Sequence, residues 1–380
     1  MKKKKILYVS PNGYLGGAER FVLTAAGLHH KNSNFDVAIL FYSDGEAVKE
    51  AKSLGITTYI LKSRFKLSHP LALLKALKEM RKITEHFAAD ILHLTMPYAH
   101  ITMSLATIGL NLKKVWFQHG PVGGHLDRIG SLFRSDVIIY NSQYILERHT
   151  SSSFLSNVSH SEHILKLGVS ECEKRNPLFS TGVIRIGAAG RICSWKGFHN
   201  VLLAIAELKK ESPLKPFSFK IAGSPKNPGD MAYLIELKKI VFENHLINEV
   251  QFLGHVDDIS TFYKEIDVFV HCSTIPEPFG LVVAEAMAHG CGVIGSNEGG
   301  VRDILKDRQT GWTFSSTRET AIPELKSRLR DLLNINETWA SQEFIDFSKA
   351  GQIFVKENYS IVSMVDKLEE IYLQIAVCGV

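Results

Sequence analysis

Two glutamates frame the segment Glu277-Pro278-Phe279-Gly280-Leu281-Val282-Val283-Ala284-Glu285. Pro278 and Gly280 suit a tight turn, and Leu281 to His289 reads as a helix closed by Gly290. No Ser, Thr, Asp or Asn stands at the cap, so the first backbone N–H groups lack a side-chain partner. Such a helix start carries a partial positive charge and suits an anion, for example a diphosphate. A carboxylate beside that anion is costly unless it accepts hydrogen bonds from hydroxyls. Diphosphate with hydroxyls on both sides is the chemistry of a nucleotide sugar.

Other residues could join such a site. Gly16-Gly17 follows a first apolar run and opens a helix, which lets backbone approach a ligand. A plain strand-to-helix turn explains the same pair. In Gly190-Arg191-Ile192-Cys193-Ser194-Trp195-Lys196-Gly197, Arg191 offers a fork and Lys196 a point charge, enough to neutralise a diphosphate. Two solvated loop cations are the plainer reading. His119 ends a strand-like run and could touch a sugar or acceptor hydroxyl. His93 and Asn141-Ser142 are weaker candidates, and Gly299-Gly300 reads as a further turn. Neither glycine loop has the dinucleotide spacing, which counts against NAD. No Asp-x-Asp pair stands near a strand end of the first half, so no metal clamp on the diphosphate is expected. The P-loop, GxSxG and HExxH patterns are also missing.

The elements that must position these groups alternate along the chain. Ile6–Ser10, Asp36–Tyr42, Asp90–Leu94, Lys114–Gln118 and Val137–Asn141 read as strands. Gly17–His30, Val48–Leu54 and Pro70–Phe87 read as helices between them. The pattern restarts with strands at Ile184–Ala189, Phe217–Gly223, Val250–Leu253, Val268–Cys272 and Gly292–Ser296, and a helix at Gly197–Lys210. Strand and helix in repeated alternation imply parallel sheets covered on both faces. The polar stretch Ser170 to Gly182 is the best linker between the two halves.

At 380 residues the chain is too long for one ordinary core, and 45% apolar content marks it as globular. No apolar run approaches the ~20 residues of a membrane span. The five cysteines are scattered without a CxxC, which points to a reducing compartment and no zinc site. The net +5 divides unevenly, into +9 over residues 1–175 and −4 over 176–380. A basic first half suits an anionic partner such as a lipid surface or an acidic acceptor, although a solvated face would look the same.

In this order the motifs resemble the retaining GT-B glycosyltransferases of family 4 over nearly the whole chain. The resemblance rests on Gly-Gly-Ala-Glu (16–19), Gly-Arg…Lys-Gly (190–197), Glu-Pro-Phe-Gly-Leu-Val-Val-Ala-Glu (277–285), Gly299-Gly300 and Thr310-Gly311. The tail through Tyr359-Ser360 and Leu368-Glu369-Glu370-Ile371-Tyr372 adds to it. It implies an α/β fold of two Rossmann-like, doubly wound domains facing a central cleft. Residues 1–175 form the acceptor side, residues 176–359 the donor side, and a final helix at about 360–380 returns to the first domain. It implies that Glu277 approaches the donor sugar, that Phe279, Gly280, Leu281 and Val282 present backbone to sugar and diphosphate, and that Glu285 binds ribose. Arg191 and Lys196 would hold the diphosphate, with Gly16 and Gly17 approaching it. His119 would serve the sugar and acceptor, and His255 and Val256 the base.

The expected activity is therefore transfer of a sugar, with retention, from a nucleotide sugar such as UDP-glucose to a glycan or lipid-linked acceptor in polysaccharide or glycoconjugate assembly. Front-face substitution is favoured, with Glu277 as a covalent nucleophile the alternative. No cofactor, metal or nucleic acid enters this reading. The enzyme would be cytoplasmic, and the basic helix Pro70–Phe87 either docks on the inner membrane face or is an ordinary amphipathic surface helix. A UDP-sugar 2-epimerase of the same fold, or a non-catalytic nucleotide-sugar-binding protein, are the competing readings.

Overall fold

The computed structural model describes residues 3–31, 34–152, 159–172, 182–316, 319–334 and 339–377. The chain divides into two compact units, Met1–Leu167 with Ile361–Val380, and Gly168–Ser360. Most of the expected linker, residues 173–181, lies outside the described residues.

The first unit alternates β1 (Lys4–Ser10), α1 (Gly17–Lys31), β2 (Phe35–Phe41), α2 (Glu46–Ser53), β3 (Thr57–Ile60), α3 (Pro70–Phe87), β4 (Ile91–Thr95), α4 (Met96–Ala106), β5 (Lys113–Gln118), α5 (His125–Gly130), β6 (Ser135–Tyr140), α6 (Gln143–Ser152) and β7 (Ser159–Ile164). Its seven strands lie in the order β3-β2-β1-β4-β5-β6-β7, and all pairings are parallel. Strands covered on both faces read as unbroken apolar runs, as in Ile6 to Val9, which is fully buried. The sheet order reverses between β1 and β4.

The second unit holds β8 (Ile184–Ala189), α7 (Phe198–Glu211), β9 (Phe217–Ala222), α8 (Pro228–Glu243), β10 (Val250–Gly254), α9 (Ile259–Lys264), β11 (Val268–His271), α10 (Leu281–Ala288), β12 (Gly292–Ser296), α11 (Val301–Ile304), β13 (Trp312–Phe314), α12 (Ala321–Leu333) and α13 (Trp339–Asn358). Its six parallel strands run β10-β9-β8-β11-β12-β13, so the reversal falls between β8 and β11. Ligands of open α/β sheets settle outside the carboxyl ends of the strands at such a reversal.

The two doubly wound sheets match the expected fold class. Three strands escape the sequence reading. β3 and β13 are four and three residues long, and β7, Ser-His-Ser-Glu-His-Ile, is polar.

A final helix, α14 (Ile361–Val377), belongs to the first unit. Its Tyr372 is fully buried, with its hydroxyl 3.2 Å from the Tyr8 hydroxyl and 2.6 Å from His93 Nδ1. Tyr8 in turn bonds His29 Nδ1 at 2.8 Å. One direction of donation, from His93 Nδ1 through the Tyr372 and Tyr8 hydroxyls to His29 Nδ1, pairs these four atoms. Burial lowers both histidines, His29 to about 4, so both are neutral. His93 is thereby a core residue.

Candidate active site

The reversal in the second sheet brings together residues from two loops. β8 ends at Ala189, and Gly190 leads through Arg191 to a short turn at Ser194–Lys196 before α7. β11 ends at His271, and the chain runs through Ser273 and Glu277 into α10. A Cβ on Gly190 would come within 3.1 Å of Lys196 Cε, so glycine there leaves the lysine its path.

Lys196 Nζ donates to Glu277 Oε1 at 2.7 Å. His271 Nε2 donates to the same oxygen at 2.9 Å, and Ser273 Oγ at 2.5 Å. An ionised carboxylate only accepts, which fixes the proton on His271 Nε2. Lys196 also lies 4.7 Å from the Trp195 ring centroid. Both members of the ion pair are nearly enclosed, with 12% of the Lys196 and 11% of the Glu277 side chain exposed. Burial alone would raise the Glu277 pKa. Lys196 and His271 outweigh it and hold the carboxyl far below the usual carboxylate range. Glu277 Oε2 receives no hydrogen bond from the described residues, so it is the acceptor that a ligand hydroxyl can use. The same enclosure pushes the Cys272 thiol up to about 12.

The Glu277 backbone is clamped as well. Gly300 N–H donates to its carbonyl at 2.8 Å, and Gly299 lies so close at φ +65° that any Cβ would strike the Glu277 backbone. The turn expected at Gly299-Gly300 thus sets the carboxylate's position.

The helix start at Gly280 has no side-chain cap, and Gly280 itself takes φ +94°. Leu281 and Val282 are half-buried in the first turn. Phe279 is buried with its ring 5.8 Å from that of Tyr359, so only its backbone remains for a ligand. Within α10, Glu285 Oε2 accepts from the Tyr263 hydroxyl at 3.0 Å. Burial, then the Glu285 charge, keeps that phenol well above its ordinary range. His289 Nδ1 donates to the Glu285 carbonyl at 2.7 Å, and its Nε2 lies 3.2 Å from Cys172 Sγ.

The remaining candidates lie on other elements. Arg191 Nε lies 3.5 Å from Asp230 Oδ2, near the start of α8, rather than on the Lys196–Glu277 pair. His255 is exposed after β10 and lies 3.4 Å from Asp257, with Val256 half-buried beside it. Gly16, Gly17 and His119 belong to the first unit, after β1 and β5. Gly17 is exposed with open space around it. His119 is only 8% exposed, rests on Phe117 and Phe21, and has no hydrogen-bond partner on either ring nitrogen among the described residues. Burial pushes its pKa down to about 3, so it is a neutral ring at physiological pH.

Sequence reasoning missed His271, Ser273 and Tyr263. A signal existed for the first two, since His271 ends an otherwise apolar strand and Ser273 follows it just before Glu277. Tyr263 had none, because it sits on a separate helix.

Comparison with known proteins agrees with this architecture. The model of glycosyl transferases group 1 matches residues 170–342, and that of glycosyltransferase family 4 matches residues 15–154. An uncharacterised glycosyltransferase of Haemophilus influenzae is 21% identical, over 96% of this chain and 98% of that protein. One of Methanocaldococcus jannaschii is 28% identical over 46% of this chain, a match that spans only 41% of that protein. The crystal structure of Anabaena HepE with UDP superposes with a TM-score of 0.79 at 18% identity, covering 97% of this chain and all of that one. HepE has also been solved with UDP-glucose. The chain belongs to the family 4, group 1 glycosyltransferases and is a glycosyltransferase of the GT-B fold.

Proposed function

We propose that this glycosyltransferase uses a UDP-sugar, with UDP-glucose the first candidate, and transfers the sugar with retention to a glycan or lipid-linked acceptor. The observation that carries the reading is the Glu277 carboxylate, ionised and held through Oε1 by Lys196, His271 and Ser273 at an uncapped helix start. The UDP and UDP-glucose in HepE support the choice of base and sugar.

In this reading Glu277 Oε2 accepts a hydroxyl of the transferred sugar, and Glu285, steadied by Tyr263, accepts the ribose hydroxyls. Lys196, Arg191 and the N–H groups opening α10 meet the growing charge on the leaving diphosphate. A carboxylate held so far below its usual range is a weak nucleophile and a good acceptor. That favours front-face substitution, in which the departing phosphate takes the acceptor proton, over a covalent intermediate on Glu277. His119, a neutral ring with two unused nitrogens, is suited to a hydroxyl of sugar or acceptor.

The acceptor side of the reading rests on α3. Leu71 is 83% and Leu74 54% exposed, next to Lys75 and Lys78 on the same helix. Bare leucines among lysines suit an anionic lipid surface that would carry the acceptor.

The test is thermal shift with UDP-, GDP- and ADP-glucose, followed by NMR of UDP-glucose without acceptor. A ligand that binds only the folded protein raises its melting temperature. UDP-glucose stabilising most, and then slowly releasing glucose, is the expected result. Preference for another nucleotide refutes the donor, and an epimerised nucleotide sugar refutes the transfer.

A further inference from the structure

Glu277 has more donors than a carboxylate needs to face a single sugar hydroxyl. Lys196, His271 and Ser273 converge on Oε1. His271 is itself fixed from behind, with Nδ1 3.2 Å from Ser296 Oγ at the end of β12. The ring is buried and both nitrogens are engaged, so it cannot swing toward a ligand.

Lys196 differs. Its ammonium has three protons, and Glu277 takes one of them. A diphosphate drawing on the same ammonium would bring negative charge close to Glu277. Like charge favours the protonated acid and works against the ion pair. Other groups must then keep the carboxylate charged. The titratable groups that face it are Lys196 from the turn before α7, His271 from β11, and the Cys272 thiol. The Gly299-Gly300 turn presents backbone. The Cys272 thiol donates to the Lys196 carbonyl instead, which leaves the His271 N–H.

We propose that His271 is a positioning residue that keeps Glu277 ionised, with Oε2 turned to the sugar, while the donor's diphosphate occupies Lys196. This rests on the donor reading above. Ser296 and Ser273 complete the device: one holds the ring, and the other shares Oε1.

The experiment is titration calorimetry of UDP-glucose near pH 6 in two buffers of unequal ionisation heat, which counts protons taken up on binding. The parent should take up almost none. His271→Leu should take up roughly half a proton or more, because Glu277 then has too little support once Lys196 is shared. His271→Gln restores an N–H donor at similar reach and should behave like the parent. In turnover, His271→Leu should lower kcat roughly 10- to 100-fold with the donor KM changed less than about threefold.

Equal proton uptake in the parent and His271→Leu overturns the proposal. So does a defect that His271→Gln shares in full, since it would report packing alone. A parent that binds no UDP-glucose refutes the donor reading and this inference together, whereas binding without a proton difference refutes only the inference.

Discussion

Replacing Lys196 with Met removes the ammonium and keeps most of the side-chain volume. In the parent, that ammonium lies 2.7 Å from Glu277 Oε1, and both side chains are about nine-tenths enclosed. Removing one partner of a fully buried pair costs about 3–5 kcal/mol, mostly because the other charge is stranded. Here His271 and Ser273 still hold Oε1, so the cost should be about 2–3 kcal/mol. In a domain of this size that lowers Tm by about 5–10 °C. Scanning calorimetry at pH 7.5 reads it directly. The pH dependence has a fixed sign. Glu277 is held below its ordinary value of 4.5, so its contribution is complete above that value and is lost as pH falls through the depressed one. The gap between parent and variant should stay constant from about pH 8 to pH 5 and narrow only on stronger acidification. The same variant should bind UDP-glucose roughly 10- to 100-fold more weakly, from the lost charge-assisted bond to phosphate. A Tm within about 2 °C of the parent, or a gap that widens with acid, refutes the electrostatic account of Glu277.

Other outcomes follow from neighbouring residues. Tyr263→Phe deletes the hydroxyl on Glu285 Oε2 and should raise the UDP-glucose KM roughly 2- to 10-fold with kcat little changed in steady-state kinetics. Gly299→Ala drives a Cβ into the Glu277 backbone at positive φ and should cost at least ~2 kcal/mol by denaturant unfolding. Because burial holds His119 near 3, His119→Ala should lower kcat/KM without changing the shape of its pH profile between about pH 5.5 and 8. Leu71→Glu with Lys75→Glu should abolish sedimentation with phosphatidylserine-containing vesicles, and the parent's binding should weaken as salt rises.

Long apolar runs between turn residues were readable from the sequence. β8, β12 and α3 fall where spacing predicts them, because buried parallel strands and an amphipathic helix write their periods plainly. β3, β7 and β13 were not, being too short or too polar to stand out against loops. The site divides in the same way. Glu277, Lys196 and Glu285 are noticeable singly from residue type and turn context. The pairing of Lys196 with Glu277 is not, since 81 residues separate them and only the adjacency of β8 and β11 brings them together. Arg191 shares a loop with Lys196, and its neighbour Asp230 on α8 is a contact that the loop sequence alone does not announce.

The Tyr372 hydroxyl, bonded to Tyr8 and His93, has a consequence for how the chain is made. Residues 1–167 of the first unit are translated before the second unit, but α14 is translated after it. Until then Tyr8 and His93 lack their Tyr372 partner. The amino-terminal portion must wait, incompletely sealed, while its neighbour folds. Truncation after Ser360 should therefore yield an insoluble product, and joining residues 361–380 directly behind Leu167 should rescue it.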